Sequence, residues 1–494
     1  MSYWAPCRLV DLATQHLLRN QDLAISAVEQ LPEVLFPVVF EEVYRRQKHR
    51  LLTAMVQAWP FTYLPLGRLM VECYHLKTLK AVLDGLDGLL AQEVRPSTWK
   101  LQVVDLWHSG EHFWNRWYGT RSSSSEWMSK QLTQVDCPRD GGQRPLTMII
   151  QCGCSWLPCL TQFLAYVFEW AQHREDRVHL CCRKIVVTEG LSDRFQELLN
   201  RVDLNCIQDL TVYNLVTVNR IDDLGSYVAR MKSLRQVRFH NFHIELDLGF
   251  ILEKETDEPA FRSGHHRYLV QLDLEESRAS LPPLFERRLK GFLSCLPTSL
   301  ESLVVMPTSL SESELEQVVL CPTLRQLRKL DLTGVYLSGM DLKPLGLLLE
   351  DIAATLQILV LRDCEITDNQ LGYILPGLSR SHQLVTFDFC GNHLRADSLA
   401  RLLRHTGALH RLSLEIYPIP RDYLGDSHPS TQVCWESFLK WRVELMDVLR
   451  NLRTPRRFVF KTHCCSFCGA RVTWDLDMMP QECLCSFCCL SKHV

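Results

Sequence analysis

Seven of the chain's 21 cysteines fall between Cys464 and Cys489, and their spacing is that of a metal centre. Cys465-x2-Cys468 and Cys485-x2-Cys488 are separated by 16 residues, a separation that paired zinc knuckles use. Gly469 follows the first pair, as a tight turn donating backbone amides to thiolates would favour. Four thiolates close a tetrahedral Zn2+ site and leave no position for water, so the metal would be structural. Cys464, Cys483, Cys489 and His463 are alternative ligands, and free thiols or disulfides are the competing readings of the same residues. Nothing else in the sequence suggests bond-making chemistry. There is no phosphate-cradling glycine loop, no His-Glu-x-x-His helix and no nucleophile elbow. Three Leu-x-x-Leu-Leu runs, Leu86–Leu90, Leu345–Leu349 and Leu399–Leu403, have the spacing by which a helix faces a core. A non-catalytic protein is expected.

The elements that would position such residues must come from 494 residues, too long for one compact core, so several domains or an extended repeat array are expected. Hydrophobic residues make up 46% and charged residues 22%, values of an ordinary globular protein. A net charge of −3 gives no global field for nucleic acid or an anionic membrane, so neither is expected as a direct partner. The basic run from Arg45 to Arg50 reads as a solvated helix end. The N-terminus lacks a basic stretch followed by an apolar run, and no segment reaches the ~18 apolar residues of a membrane span. Most cysteines are then expected as small buried side chains in a reducing, cytoplasmic setting, with the nucleus left open as a second compartment.

A Leu-x-x-Leu-x-Leu pattern recurs from Leu300, Leu327, Leu356, Leu384 and Leu409, at offsets of 27, 29, 28 and 25 residues. Looser copies begin at Cys182, Ile207, Leu234 and Leu269, and Leu101-Val104-Leu106 would open the array. After the pattern, Cys364 and Asn392 occupy the position where a buried polar side chain bonds the turn backbone. Between strands the apolar period changes from about 2 to about 3.6, with helices expected over Ser311–Leu320, Gly339–Ala354, from Thr367, and over Ser398–Leu403. The expected fold is therefore α/β: a leucine-rich-repeat solenoid, or horseshoe, with strands on the concave side. Its domains would be an N-terminal helical region over 1–95, the array over 96–420 with a loop insertion near 117–145, and a C-terminal helical cap and Cys-rich tail over 421–494. The concave strand positions available to a protein ligand would be Lys329, Asp331, Ile358, Val360, Arg362, Thr386, Asp388 and Arg411.

Residues 1–95 read as helical throughout, with Leu9, Leu12, Ala13 and Leu17 on one face and Pro32 where a new helix would begin. Several segments resemble the PRAME family: Leu9-x3-Ala13-x3-Leu17, Leu31-Pro32-Glu33-Val34-Leu35-Phe36-Pro37, Met55-Val56-Gln57-Ala58-Trp59-Pro60-Phe61 and Leu79–Asp87. So do Leu180–Lys184, Asp363–Asp368 and Tyr417-Pro418-Ile419-Pro420, so the resemblance spans nearly the whole chain. It implies a substrate receptor of a cullin-2 ubiquitin ligase built on elongin B and C. Leu9, Ala13 and Leu17 would then enter a groove on elongin C, and Leu31, Pro32 and Leu35 would contact the cullin. Arg8 stands where that docking motif usually has a small residue, and Ala13 replaces its usual cysteine. Leu31-Pro32-x-x-Leu35 also resembles the start of an F-box. Control of transcription, proliferation, differentiation or apoptosis in germline or early embryonic cells is the biological role implied. The alternative is a non-ligase scaffold or corepressor using the same array.

Overall fold

The computed structural model describes residues 9–72, 75–92, 99–107, 145–153, 158–188, 199–213, 224–240, 291–306, 310–424, 456–461 and 473–475, with a few isolated residues besides. Packing divides the chain into two compact units, Met1–Ile185 with Arg194–Ile207, and Val186–Asp193 with Gln208–Val494. The Cys-rich tail ligands Cys465, Cys468, Cys485 and Cys488, the insertion at 117–144 and the Leu269 repeat copy lie outside the described residues.

The first unit opens with α1 (Leu9–Leu17), α2 (Gln21–Ala27), α3 (Phe36–Arg45) and α4 (His49–Gln57), followed by α5 (Gly67–Glu72), α6 (Leu76–Leu90) and α7 (Pro158–Gln172). Phe36 and Phe40 from α3 close edge-on around Trp59 at 5.6 and 4.9 Å, and Phe61 completes this buried aromatic core. Its strands are β1 (Tyr63–Pro65), β2 (Val103–Asp105), β3 (Leu146–Gly153) and β4 (Val178–Thr188, through Ile185 in this unit), neighbours in chain order. β1, β2 and β3 pair in parallel, with Tyr63 beside Val103 and Val103 beside Thr147. β1 departs from the all-helical reading of residues 1–95. Pro60 and Pro65 interrupt helical hydrogen bonding around it, and a strand of three residues leaves no period to read.

The second unit places β5 (Asp209–Tyr213), β6 (Gln236–His240), β7 (Ser302–Met306), β8 (Lys329–Asp331), β9 (Ile358–Val360), β10 (Thr386–Asp388), β11 (Leu414–Pro418) and β12 (Arg457–Lys461) side by side in chain order, all parallel. β13 (Thr473–Asp475) adds antiparallel to β12. β6 pairs directly with β7. Helices α8 (Glu312–Val319), α9 (Lys343–Asp351), α10 (Asp368–Arg380) and α11 (Ala396–Thr406) alternate with strands β7 to β11. The starts of α8 and α10 follow from reciprocal capping boxes, Ser311 with Glu314 and Thr367 with Gln370, which satisfy the first free amides. A parallel α/β arrangement in sequence order is compatible with a solenoid.

The register corrects the last repeat. Glu415 pairs with Phe387, which pairs with Leu359, so the true motif is Leu412-x-x-Glu415-x-Tyr417, all three buried. The reading from Leu409 was displaced by three residues because a carboxylate occupies a core position that elsewhere is leucine or phenylalanine. Arg411 accordingly lies in the turn before β11, reaching Gln383, and Leu414 takes its place in the strand row.

α9 and α10 approach most closely at two glycines. A Cβ on Gly346 would lie 2.3 Å from the Tyr373 carbonyl oxygen, and one on Gly377 would lie 2.6 Å from Leu349 Cβ. Gly372, also in α10, has nothing within 4 Å of its would-be Cβ. Gly372→Ala should therefore stabilise the chain by up to about 1 kcal/mol through helix propensity. Gly346→Ala gains the same term but must separate two helices, for a net loss of about 1–2 kcal/mol. Thermal denaturation of both variants gives opposite signs; a stabilised Gly346→Ala would refute the close contact.

Candidate functional site

Two surfaces gather the residues singled out by sequence. In the first unit, Asn20 caps α2 by accepting the Leu23 amide at 3.2 Å. A 3-10 turn over Val28–Gln30 then leads to Leu31, which is extended (φ −67°, ψ 126°), as the residue before a proline must be. The Pro32 carbonyl accepts the amides of Leu35 and Phe36 at 2.9 and 3.2 Å, so the new helix starts at Phe36, four residues later than Pro32 suggests. Thr14, Leu18, Ala24 and Val28 are buried. Ala13 and Pro32 are exposed, whereas Leu17, Leu31 and Leu35 are half-buried; Leu9 heads α1.

The apolar groups most open to solvent here were not chosen as contacts. Leu12, Leu23 and Val34 are 50%, 60% and 65% exposed. Leu12 is legible as part of the Leu9–Leu17 face. Leu23 and Val34 are legible only once Ala24, Val28 and Phe36 are seen to fill the inward positions. Lys100 Nζ donates to Glu33 Oε1 at 2.8 Å beside this segment.

In the second unit the strand register builds two rows on one sheet face. Lys329, Ile358, Thr386 and Leu414 form one, and Asp331, Val360, Asp388 and Ile416 the other. The alternate residues Leu330, Leu359 and Phe387 point into the core. Lys329, Ile358, Val360, Thr386 and Arg362 are half-buried, as a binding face requires. Asp331 and Asp388 correct the expectation of exposed contacts: they are only 5% and 1% exposed.

Both aspartates end their strands and fold their carboxylates onto the following turn. Asp388 accepts the Cys390 amide at 3.1 Å, and Asp331 accepts the Thr333 amide at 3.2 Å and its hydroxyl at 2.7 Å. Asp105 does the same for Trp107 at 2.9 Å. Such turns are a short acid's alternative to the ladder. Their charge is met locally, by Lys329 at 3.3 Å from Asp331 and by Arg362 Nε at 3.0 Å from Asp388. Burial works against the Arg362 charge, yet the hydrogen bonds and charge of Asp388 hold its pKa above the ordinary value. What this face offers a ligand is therefore mainly apolar and hydroxyl surface edged by a cation, with the two carboxylates already used.

A third grouping is buried in the first unit: His179, Cys181 and Cys206, whose ligand atoms all lie within 4.8 Å of one another. No sequence spacing pointed to it, since Cys206 is remote from the other two.

The described residues thus form parallel strands alternating with helices, and the first helices leave large apolar side chains in solvent. Comparison with known proteins makes the relationship specific. The PRAME N-terminal domain profile matches residues 6–114 and the PRAME C-terminal domain profile residues 148–485. Human PRAME family member 12 is 42% identical over 490 residues, covering 99% of each chain. Human PRAME family member 8 is 41% identical over 486 residues, 98% of this chain and 100% of its own, and member 1 is 40% identical over 480 residues, 97% and 99%. The chain belongs to the PRAME family. Among the described residues no helix is long and apolar enough to cross a membrane.

Proposed function

We propose that this protein is a non-catalytic substrate receptor of a cullin-2–elongin B/C ubiquitin ligase, with a leucine-rich-repeat array as its substrate-holding part. The observation that carries this reading is the run of exposed apolar side chains, Leu12, Leu23 and Val34, on and between the first helices. Large apolar groups that the fold leaves in water are what a groove on a partner recognises. Leu9, Ala13 and Leu17 on α1 serve elongin C, joined by Leu12, and Leu31, Pro32 and Leu35 serve the cullin, joined by Val34. The strand rows hold a protein substrate, and the ligase contributes proximity between a substrate lysine and the ubiquitin-carrying enzyme. The processes served are negative regulation of transcription, apoptosis and differentiation, and support of proliferation.

Co-purification with elongin B, elongin C and cullin-2 tests the reading. A Leu12→Asp variant should lose elongin while keeping the wild-type melting temperature, because that side chain is half exposed. A folded wild-type chain that retains neither elongin nor cullin overturns the ligase reading and leaves a repeat scaffold or corepressor.

A further inference from the structure

The geometry points to a structural zinc site at His179, Cys181 and Cys206, distinct from the tail cysteines. His179 and Cys181 stand two residues apart on β4, so both project from one face of the strand. Cys206 closes the 3-10 turn Leu204–Cys206 and brings its thiol to that face. His179 Nε2 lies 3.2 Å from Cys206 Sγ, and the three donor atoms lie within 4.8 Å of one another. Ligands of a tetrahedral zinc, at about 2.0 Å for nitrogen and 2.3 Å for sulfur, are about 3.5 Å apart, so the cluster needs only a small contraction.

All three residues are buried, at 5%, 0% and 3% exposure. The charge balance suits such a place: Zn2+ with two thiolates and a neutral imidazole sums to zero, and two thiol protons leave on binding. Asp203 is the nearest further carboxylate; it lies outside the three-residue group, and as a fourth ligand it would bring the net charge to −1. Asp203 Oδ2 lies 3.7 Å from Cys206 Sγ, while its Oδ1 accepts the Asn205 amide at 3.0 Å and fixes the carboxylate's orientation. Asp203 is half-buried. Used only as core side chains, the same residues would be held by the His179–Cys206 hydrogen bond, which the metal would replace. The metal would clip β4 to the turn at Cys206, stabilising the first unit without chemistry.

The test uses the full chain with all seven tail cysteines, Cys464, Cys465, Cys468, Cys483, Cys485, Cys488 and Cys489, changed to serine, so that tail metal does not contribute. After gel filtration, elemental analysis should find about one zinc per chain, falling to background with Cys181→Ser and Cys206→Ser added. Cobalt substitution should give tetrahedral d–d bands and sulfur-to-metal charge transfer. His179→Cys keeps a ligand at that position, so it should keep the metal and raise the charge-transfer intensity by about half, from two thiolates to three. That variant decides the matter if the double serine variant fails to fold. A folded tail variant without zinc, zinc content indifferent to Cys181 and Cys206, or a mass showing these two cysteines joined as a disulfide would each overturn the proposal.

Discussion

Replacing Arg456 with methionine should lower the unfolding free energy by about 4 kcal/mol, the cost of breaking a buried ion pair from one side. Arg456 and Glu415 meet at 2.9 Å with side chains 1% and 0% exposed. The guanidinium also donates to the carbonyls of Thr406 at 2.9 Å, Gly407 at 3.1 Å and Leu409 at 2.7 Å. The Thr406 and Gly407 carbonyls end α11, where a cation is favoured, while the Thr406 and Leu409 carbonyls also accept the Leu409 and Leu412 amides. Glu415 in turn accepts from Thr406 Oγ1 at 2.9 Å and from the Tyr417 hydroxyl. Burial first, and then the charge of Glu415, push the Tyr417 phenol well above its usual range, so it remains a donor at every working pH.

Glu415→Leu with Arg456→Met should recover part of that loss, because leucine or phenylalanine fills the equivalent row at Leu359 and Phe387. Recovery will be incomplete, since the three carbonyls, the Thr406 hydroxyl and the Tyr417 hydroxyl still lose partners. Urea denaturation of both singles and the double gives the coupling energy. A single Arg456→Met variant within about 1 kcal/mol of wild type, the scale of exposed pairs, would mean that the pair is solvated in solution.

That pair also marks where the sequence stops being readable. The strands from β7 to β10 and the helices between them are visible as leucine period and capping residues, because apolar burial is what both patterns record. Glu415 breaks the pattern by placing a charge in the core, and its partner Arg456 lies 41 residues away. A local search therefore chose Leu409, Leu412 and Leu414. The same limit explains Asp331 and Asp388. Alternation along a strand says which side they face, but not that each carboxylate turns back to cap its own chain. Leu23 and Val34 were obscured for the opposite reason: apolar side chains count as core until the residues that do fill the core are known.

Asn392→Ala should cost about 3 kcal/mol, and Asn392→Cys noticeably less. Asn392 is 1% exposed and serves three backbone groups. Its Oδ1 accepts the Ile366 amide at 2.9 Å, and its Nδ2 donates to the carbonyls of Leu361 at 2.6 Å and Phe389 at 2.8 Å. Alanine would leave those groups in a dry interior, where each unmade hydrogen bond costs about 1–3 kcal/mol before relaxation. One repeat earlier Cys364 holds the same place, donating its thiol to the Leu332 carbonyl at 3.0 Å and reaching the Arg362 carbonyl at 3.4 Å. Burial, followed by the nearby Asp363 charge, pushes that thiol far above its ordinary pKa, so it stays protonated and able to donate. A cysteine at 392 should thus keep a donor toward Leu361 while losing the acceptor for Ile366. The reciprocal Cys364→Asn change tests whether the two positions are interchangeable. Hydrogen exchange at the Ile366 amide reads the difference directly: strong acceleration is expected in both Asn392 variants and none in Cys364→Asn. Equal stability losses for Asn392→Ala and Asn392→Cys would mean that the acceptor, and not the donor, is what this position of the repeat supplies.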